Sequence, residues 1–550
     1  MAMMETVPPA PPAGADLDLL HLHPIPPRDA GQVRLAIGLA FVGGGAGGLF
    51  DEVLDRAPLA ATTFDRALFG NDLFLSTFVE QCFVPRIEGQ DVPVGSKRIA
   101  RILGSPPSDP GFVEFRREII GELIATPRLR ADLEKLYLVL CRFRATLEGA
   151  TGVGRWDANA RQIDLLQIFK DLVDMLADGF AGARSGLSRL RAFGLRVREG
   201  EPYRSLSDLL RYEKSMATLS LKVGVGADGR IHGFEIVSVE ASTQNPFVTS
   251  TVRRWLVKLE LLVRGFRFDD GEVMARLIDA VFDGVQDDFI ALARVLTGVE
   301  LYLGALGFRD RAMQAGLEVA LPALVDSNTP RVLLGLFNPL LLPVLGKKLV
   351  PFDITLEGNE TTALITGPNS GGKTRLLQSI GLAQLLAQAG LFVPARSASL
   401  ALARGMVVSI VQETQSDQSE GRLGMELVRI RTLFERLQPG TVVILDELCS
   451  GTNPSEGEEI FELVVRMLGK LKPHVFLTTH FLAFAAGLER ERRIEGLHFL
   501  QVELGADREP TYRFTRGVAK TSLAGQTAAR LGVTREALLQ LVERHVAKGG

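Results

Sequence analysis

The chain has 550 residues, 46% of them hydrophobic, and a formal net charge of −3. One hydrophobic core rarely serves more than about 250–300 residues, so at least two domains are expected. Near-neutrality excludes a global basic field for a polyanion, and three scattered cysteines (Cys82, Cys141 and Cys449) exclude a disulfide framework or a zinc knuckle.

Residues 1–33 are proline-rich and read as a flexible leader. Glu5, Asp16 and Asp18 precede Leu19, unlike a secretory signal with its basic start and apolar core. The uncharged runs Leu35–Phe50 and Val332–Gly346 fall short of the ~20 residues a membrane helix needs. No stable membrane insertion and a cytoplasmic setting are therefore expected.

Residues 60–185 read mostly as helix. Leu129, Leu133, Leu136 and Leu140 recur at helical intervals among charged neighbours, and Gln162–Leu176 repeats the pattern. Tyr137 and Trp156 read as packing residues. The stretch Arg184–Lys214 holds eight positive and four negative residues, net +4, which suits either a phosphate-facing surface or a solvated helix face.

From Leu219 the period changes to alternation through Leu221, Val223 and Val225. Asp228-Gly229 supplies a turn, and alternation resumes from Ile231 to Val239, the pattern of a β-hairpin. Helical signal returns over Thr251–Phe266 and Glu272–Leu306. Residues 34–330 are thus expected to be a mainly α-helical region with a small β insertion near 219–239.

Residues 331–550 turn to α/β. Short apolar strands end in loops at Ala363–Thr366, Val442–Leu445 and Val475–Leu477, with helices expected over Arg375–Gln388 and Gly424–Leu437. The first loop, Gly367-Pro368-Asn369-Ser370-Gly371-Gly372-Lys373-Thr374, fits G-x-x-x-x-G-K-[ST] without departure. Glycines let successive backbone N–H groups turn toward phosphate oxygens, and the helix start adds unpaired donors and a favourable dipole. Lys373 reaches the β and γ phosphates of ATP, and Thr374 offers its hydroxyl to Mg²⁺.

Asp446 and Glu447 end an apolar strand. Asp446 is placed to bind Mg²⁺ directly or through water, and Glu447 to polarise or deprotonate an attacking water. His480, after the third strand, can hydrogen-bond the γ phosphate. Ser419-Glu420-Gly421-Arg422, ahead of the helix from Gly424, can present a hydroxyl and N–H groups to phosphate or can be a solvent loop.

Taken together, these residues resemble the MutS family of DNA-repair ATPases, within the ABC-type class. The likeness extends to Leu391-Phe392-Val393-Pro394-Ala395, to Gly451-Thr452 after Asp446-Glu447-Leu448, and to Thr478-Thr479-His480-Phe481. It also takes in Gly517–Ser522 with Ala528–Gly532, and the small sheet at Leu219–Val239 with Gly233 and Glu235. It covers roughly residues 60–540 and is most specific in 350–540. The fold it implies is a C-terminal ABC-type P-loop ATPase domain, 331–550, behind a helical core and lever region.

The resemblance implies composite ATP sites in a homodimer, each phosphate loop facing Ser419 and Gly421 of the other subunit. It further implies a clamp on duplex or branched DNA, and hence nucleoid association. The family's mismatch-reading module is expected to be absent, and Gly451-Thr452-Asn453-Pro454-x-x-Gly457 resembles the bacterial subgroup that lacks mismatch recognition; the small nuclease module that often ends members of that subgroup is expected to be absent here. Where members carry His-Pro and Pro-Asn-Asp, this chain has Asn338-Pro339 and Pro351-Phe352-Asp353; Phe352 either stacks on the nucleotide base or packs in the core. An ATP-controlled scaffold for a protein partner, without DNA, is the alternative. A degenerate nucleotide-binding protein is disfavoured by the intact Lys373, Thr374, Asp446, Glu447 and His480.

Overall fold

The computed structural model describes residues 17–25, 29–43, 54, 57–149, 158–213, 217–225, 231–241, 270–358, 361–410, 422–449, 453–471, 473–492, 494–507, 509–521 and 531–548. Ser419, Gly421, Gly451, Thr452, Trp156 and the stretch Thr251–Phe266 lie outside them. The chain divides into two compact units. One comprises Met1–Ala60, Lys97–Ile99 and Glu114–Leu303; the other comprises Ala61–Ser96, Ala100–Val113 and Gly304–Gly550.

The first unit is helical, with helices Ala30–Val42, Pro127–Leu147, Ala158–Asp178, Ser188–Glu199 and Glu201–Glu213. Phe289 sits at the centre of its core, with ring centroids of Phe143 and Phe169 at 4.6 and 5.4 Å. Gly194 lets two helices nearly touch, since a Cβ there would lie 2.4 Å from the backbone nitrogen of Ala177. Tyr137 is buried, as its helical position predicts.

Arg161 is a structural pin in this unit. Its guanidinium donates to Ala40 O at 2.6 Å, Phe41 O at 3.0 Å, Leu147 O at 2.8 Å and Thr146 O at 3.2 Å. These are carbonyls at the C-terminal ends of two helices, where the intrahelical ladder runs out; those of Ala40 and Thr146 also accept the N–H groups of Gly43 and Gly149.

Residues 17–25 differ from the flexible leader expected over 1–33. Leu17, Leu19, Leu20 and His21 are buried. Arg189 donates to the carbonyls of Asp18, His21 and Leu22, Arg116 to Leu20, Arg294 to Ile25, and the Tyr302 hydroxyl to Leu19. The high proline content hid this, because an extended strap without ladder partners is held here by side-chain donors.

Strands, in chain order, are β1 (Arg86–Ile87), β2 (Gln90–Asp91), β3 (Ala217–Val225), β4 (Ile231–Ala241), β5 (Ala323–Val325), β6 (Arg331–Leu336), β7 (Phe352–Leu356) and β8 (Thr362–Thr366). They continue with β9 (Ser397–Ala401), β10 (Gly405–Ser409), β11 (Thr441–Leu445), β12 (His474–Thr478), β13 (Leu497–Leu504) and β14 (Pro510–Arg516). β3 and β4 pair antiparallel, with Leu219 opposite Val239, forming the expected hairpin.

The second unit holds two larger sheets. A six-stranded sheet has the order β10-β11-β12-β8-β13-β14, parallel throughout except for the β13–β14 edge pair. A four-stranded sheet has the order β5-β9-β6-β7. Every residue of β8, β11 and β12 is buried. Their unbroken apolar runs mark strands covered on both faces.

One face carries Leu433, Phe461, Val464, Leu468 and Leu488 from three helices, packed on Val443, Val475 and Leu477. On the other face the helix Lys373–Gln388 is buried almost throughout. Gly381 lies close under Leu73, and Gln388 Nε2 donates to Pro107 O at 3.3 Å. Segments 61–96 and 100–113 thus join the unit that carries the phosphate loop, although their helical sequence reads with the region before it.

Among the described residues, one helix, Met274–Gln314, is long and apolar enough to cross a membrane, and 89% of its most apolar window is buried. That burial is the signature of a core helix.

Candidate functional site

Strands β11, β12 and β8 are adjacent and parallel, with Leu445 opposite Leu477 and Thr478 opposite Ile365. Their C-terminal ends therefore lie on one edge of the sheet. The loops that follow bring Gly367–Thr374, Asp446-Glu447 and Thr479-His480 together there, the place where parallel α/β sheets bind ligands.

The phosphate loop leaves β8 at Thr366, whose hydroxyl accepts the N–H of Ala519 at 2.9 Å. Gly367 has φ +141° and Gly372 φ +84°, conformations that side chains disfavour. Space is as restrictive as torsion. A Cβ on Gly367 or Gly371 would lie 2.6 or 2.8 Å from Val502 Cγ2 on β13. Asn369–Gly371 forms one 3₁₀ turn, and the helix from Lys373 follows directly.

Lys373 is 3% exposed, and its ammonium donates to the loop carbonyls of Gly367 at 3.0 Å and Pro368 at 3.2 Å. Burial lowers its pKa, an effect opposed by Glu447, whose Oε1 lies 3.9 Å away, and by Asp446. A buried cation inside a ring of glycines fits a polyphosphate, which would supply the charge that the loop carbonyls do not.

Thr374 Oγ1 donates to Asp446 Oδ2 at 2.5 Å, so the two expected Mg²⁺ ligands are already together. Among the described residues no group of three or more His, Cys, Asp and Glu could hold a metal. That donor set fits Mg²⁺, which is commonly held by one or two protein oxygens with substrate phosphates and water filling the rest.

Thr478 organises the paired acids. Its hydroxyl donates to Asp446 Oδ1 and accepts the N–H of Glu447 at 2.8 Å. Glu447 has φ +49°, an uncommon conformation for a residue other than glycine. The Glu447 side chain is 32% exposed.

His480 is exposed at the same edge, its ring centroid 4.2 Å from that of Phe481. Asn338, where the resemblance anticipates histidine, is buried and donates through Nδ2 to Arg375 O and Gln378 Oε1, both at 3.1 Å. It steadies the first turns of the loop helix. Phe352 is 8% exposed, with its ring centroid 5.4 Å from that of Phe514 on β14.

Two residues at the site escape sequence reasoning in their roles: Thr478 and Val502. Thr478 falls inside the Thr-Thr-His run, but strand register, not sequence, directs its hydroxyl at both acids. Val502 comes from a hairpin far downstream, and no local pattern ties it to the loop.

The basic stretch Arg184–Lys214 is partly engaged within the chain. Arg196 bonds Asp288 at 3.0 Å and Arg198 bonds Asp178 at 2.7 Å, while Arg189 holds the strap 17–25.

A family profile described as MutS domain V matches residues 363–547. Endonuclease MutS2 of Carboxydothermus hydrogenoformans is 36% identical over 196 residues, 35% of this chain and 25% of that protein. Endonuclease MutS2 of Bacillus cytotoxicus is 25% identical over 486 residues, 84% of this chain and 60% of that protein. The protein of the same name from Bacillus cereus strain ATCC 10987 is 24% identical over 485 residues. The chain thus spans between a quarter and 60% of the length of these relatives.

Proposed function

We infer that this chain is a MutS-type ATPase, from the match of residues 363–547 to MutS domain V and from its likeness to the MutS2 proteins. We propose that it hydrolyses ATP at the edge of the six-stranded sheet and uses the cycle to switch a homodimeric clamp on DNA, with structured DNA as the preferred substrate. The observation that carries this reading is the meeting of Lys373, Thr374, Asp446 and Glu447 at one strand edge, with Thr374 and Asp446 in direct hydrogen bond.

In this reading the N–H groups of Gly367 and of residues 369–374 surround the phosphates. Lys373 turns from the loop carbonyls to the β and γ oxygens. Thr374 and Asp446 hold Mg²⁺, which when bound neutralises charge developing on the phosphates. Glu447 accepts the proton of the attacking water. His480 donates to the γ phosphate, and Ser419 and Gly421 close the site from the second subunit. Phe352 supports the base end of the site from within the core.

The test uses the purified full chain, measuring ATP turnover and molecular mass with and without duplex and branched DNA at several salt concentrations. DNA-stimulated turnover by a dimer is expected. Glu447→Gln should retain ATP while losing turnover by roughly 10²- to 10⁴-fold. Unchanged turnover in that variant sinks the catalytic assignment, and no DNA binding even at low salt sinks the clamp.

A second reading, an ATP-controlled scaffold for a protein partner, is favoured by one observation. Arg189, Arg196 and Arg198 are engaged within the chain, which lessens the basic surface open to phosphates. Partner recovery that depends on ATP and ignores nucleic acid would establish it.

A further inference from the structure

The helix that starts at Lys373 carries two cations in its first turn, Lys373 and Arg375, and no acid. That end of a helix has a partial positive charge, so a cation there is unfavourable unless an anion lies nearby. Lys373 is buried in the phosphate loop, whereas Arg375 is exposed. Among the described residues no carboxylate pairs with Arg375.

An arginine on a surface usually wanders, yet this one is held. Its Nη1 donates to Gln378 Oε1 at 2.9 Å. The same Oε1 accepts from Asn338 Nδ2 at 3.1 Å, and that Nδ2 also donates to the carbonyl of Arg375 at 3.1 Å. Ser379 Oγ donates to this carbonyl at 2.7 Å. Asn338 is itself fixed, its Oδ1 accepting the N–H of Leu340 at 2.9 Å. Asn338, Gln378 and Ser379 are all buried. Three buried polar side chains thus fix residue 375 at its carbonyl and at its guanidinium, the support expected of a preorganised ligand contact.

Helix geometry says where that guanidinium works. Two residues subtend about 200° around the axis, so Arg375 projects on the side opposite Lys373, with Thr374 between them. Helical side chains lean toward the N-terminus, which brings a long arginine back to the loop. Lys373 Nζ lies 3.9 Å from Glu447 Oε1, at the end where the terminal phosphates belong. Arg375 therefore meets the other end of the phosphate chain. With Nη1 engaged by Gln378, its Nε and Nη2 remain as a fork for phosphate oxygens.

We propose that Arg375 is a further binding residue of this site, donating to the phosphate next to the ribose, an assignment that rests on the nucleotide reading above. Asn338 is its positioning residue, acting through Gln378. ATP and its product ADP share the phosphate contacted, so the side chain holds both alike. It acts away from the bond that breaks and so serves binding rather than the chemical step.

The experiment is calorimetric titration of the full chain with Mg·ATP, Mg·ADP and Mg·tripolyphosphate, together with steady-state ATP turnover, in the wild type, Arg375→Gln, Asn338→Ala and the double variant. Arg375→Gln should weaken all three ligands by about 10- to 150-fold, as loss of a hydrogen bond to a charged group does, and the loss in turnover should lie in KM rather than kcat. Asn338→Ala should weaken the ligands less. In the double variant it should add nothing to the loss from Arg375→Gln, because its effect passes through that side chain. Without ligand, Arg375→Gln should melt no lower than the wild type, since it removes a cation from the positive end of the helix.

Unchanged affinities in Arg375→Gln overturn the proposal. Weakening of ATP but not ADP moves the contact to the terminal phosphate and overturns it. Weakening of the nucleotides but not tripolyphosphate moves it to the ribose or base and also overturns it. Additive losses in the double variant remove Asn338 from the role given to it. A wild-type chain that takes up none of the three ligands overturns the nucleotide reading itself.

Discussion

Thr478 accepts the backbone N–H of Glu447 at 2.8 Å, and so couples the strand that ends in the paired acids to the strand beside it. The same hydroxyl donates to Asp446, so one oxygen orients both acids. Thr478→Val keeps the shape and removes that oxygen. Turnover should fall by about 10- to 100-fold, with a higher Mg²⁺ requirement, because the site loses its positioning. Thr478→Ser should recover most of the activity. Equal turnover in Thr478→Val and wild type would refute the role.

Lys373 is a buried cation whose burial depresses its pKa. Removing it relieves a desolvation cost in the ligand-free protein. Lys373→Met should melt at or above the wild-type temperature without nucleotide. It should also lose the thermal shift from saturating Mg·ATP, worth roughly 2.7 kcal/mol at a hundredfold excess over Kd. A variant that still shows the full shift would remove Lys373 from the binding site.

His474, at the start of β12, lies fully inside the second unit, where its Nδ1 meets Arg331 Nη2 at 2.9 Å. Burial first, and the Arg331 charge second, push its pKa down to about 3. A depressed folded-state pKa means the unfolded chain binds the proton more readily. Stability is therefore complete above the ordinary histidine pKa of about 6.5 and is lost as pH falls toward 3, with a slope of about 1.4 kcal/mol per pH unit for one proton. His474→Gln keeps an acceptor for Arg331 without the titration. Denaturant midpoints at pH 7, 5 and 4 should fall less steeply in the variant, and parallel curves would contradict the assignment.

Arg161 closes four helix-end carbonyls. Arg161→Met keeps the stem but removes every donor. The first unit should lose about 2–4 kcal/mol, read as a lower urea midpoint for its transition. ATP turnover measured well below that midpoint should change little. A midpoint equal to the wild type would show that water replaces the guanidinium.

Much of the phosphate site was legible because its chemistry is local. Gly367–Thr374, the strand ahead of it and the helix behind it are contiguous, and Asp446-Glu447 ends its own apolar run. The hairpin β3–β4 was legible for the same reason, through alternation about Asp228-Gly229. The strap 17–25 was not, because its partners Arg116, Arg189 and Arg294 are distant in sequence and look like ordinary surface charge. Nor was the recruitment of segments 61–96 and 100–113, which depends on a helix buried on every side needing cover that the strands around it do not provide.

Strand β8 lies between β12 and β13, and the loop that follows it rests on Val502. Both neighbouring strands are encoded more than a hundred residues after the loop's own strand. During synthesis the complete loop motif thus emerges long before the framework that shapes it. A nascent chain therefore lacks the strands that shape this loop until translation has passed the edge hairpin.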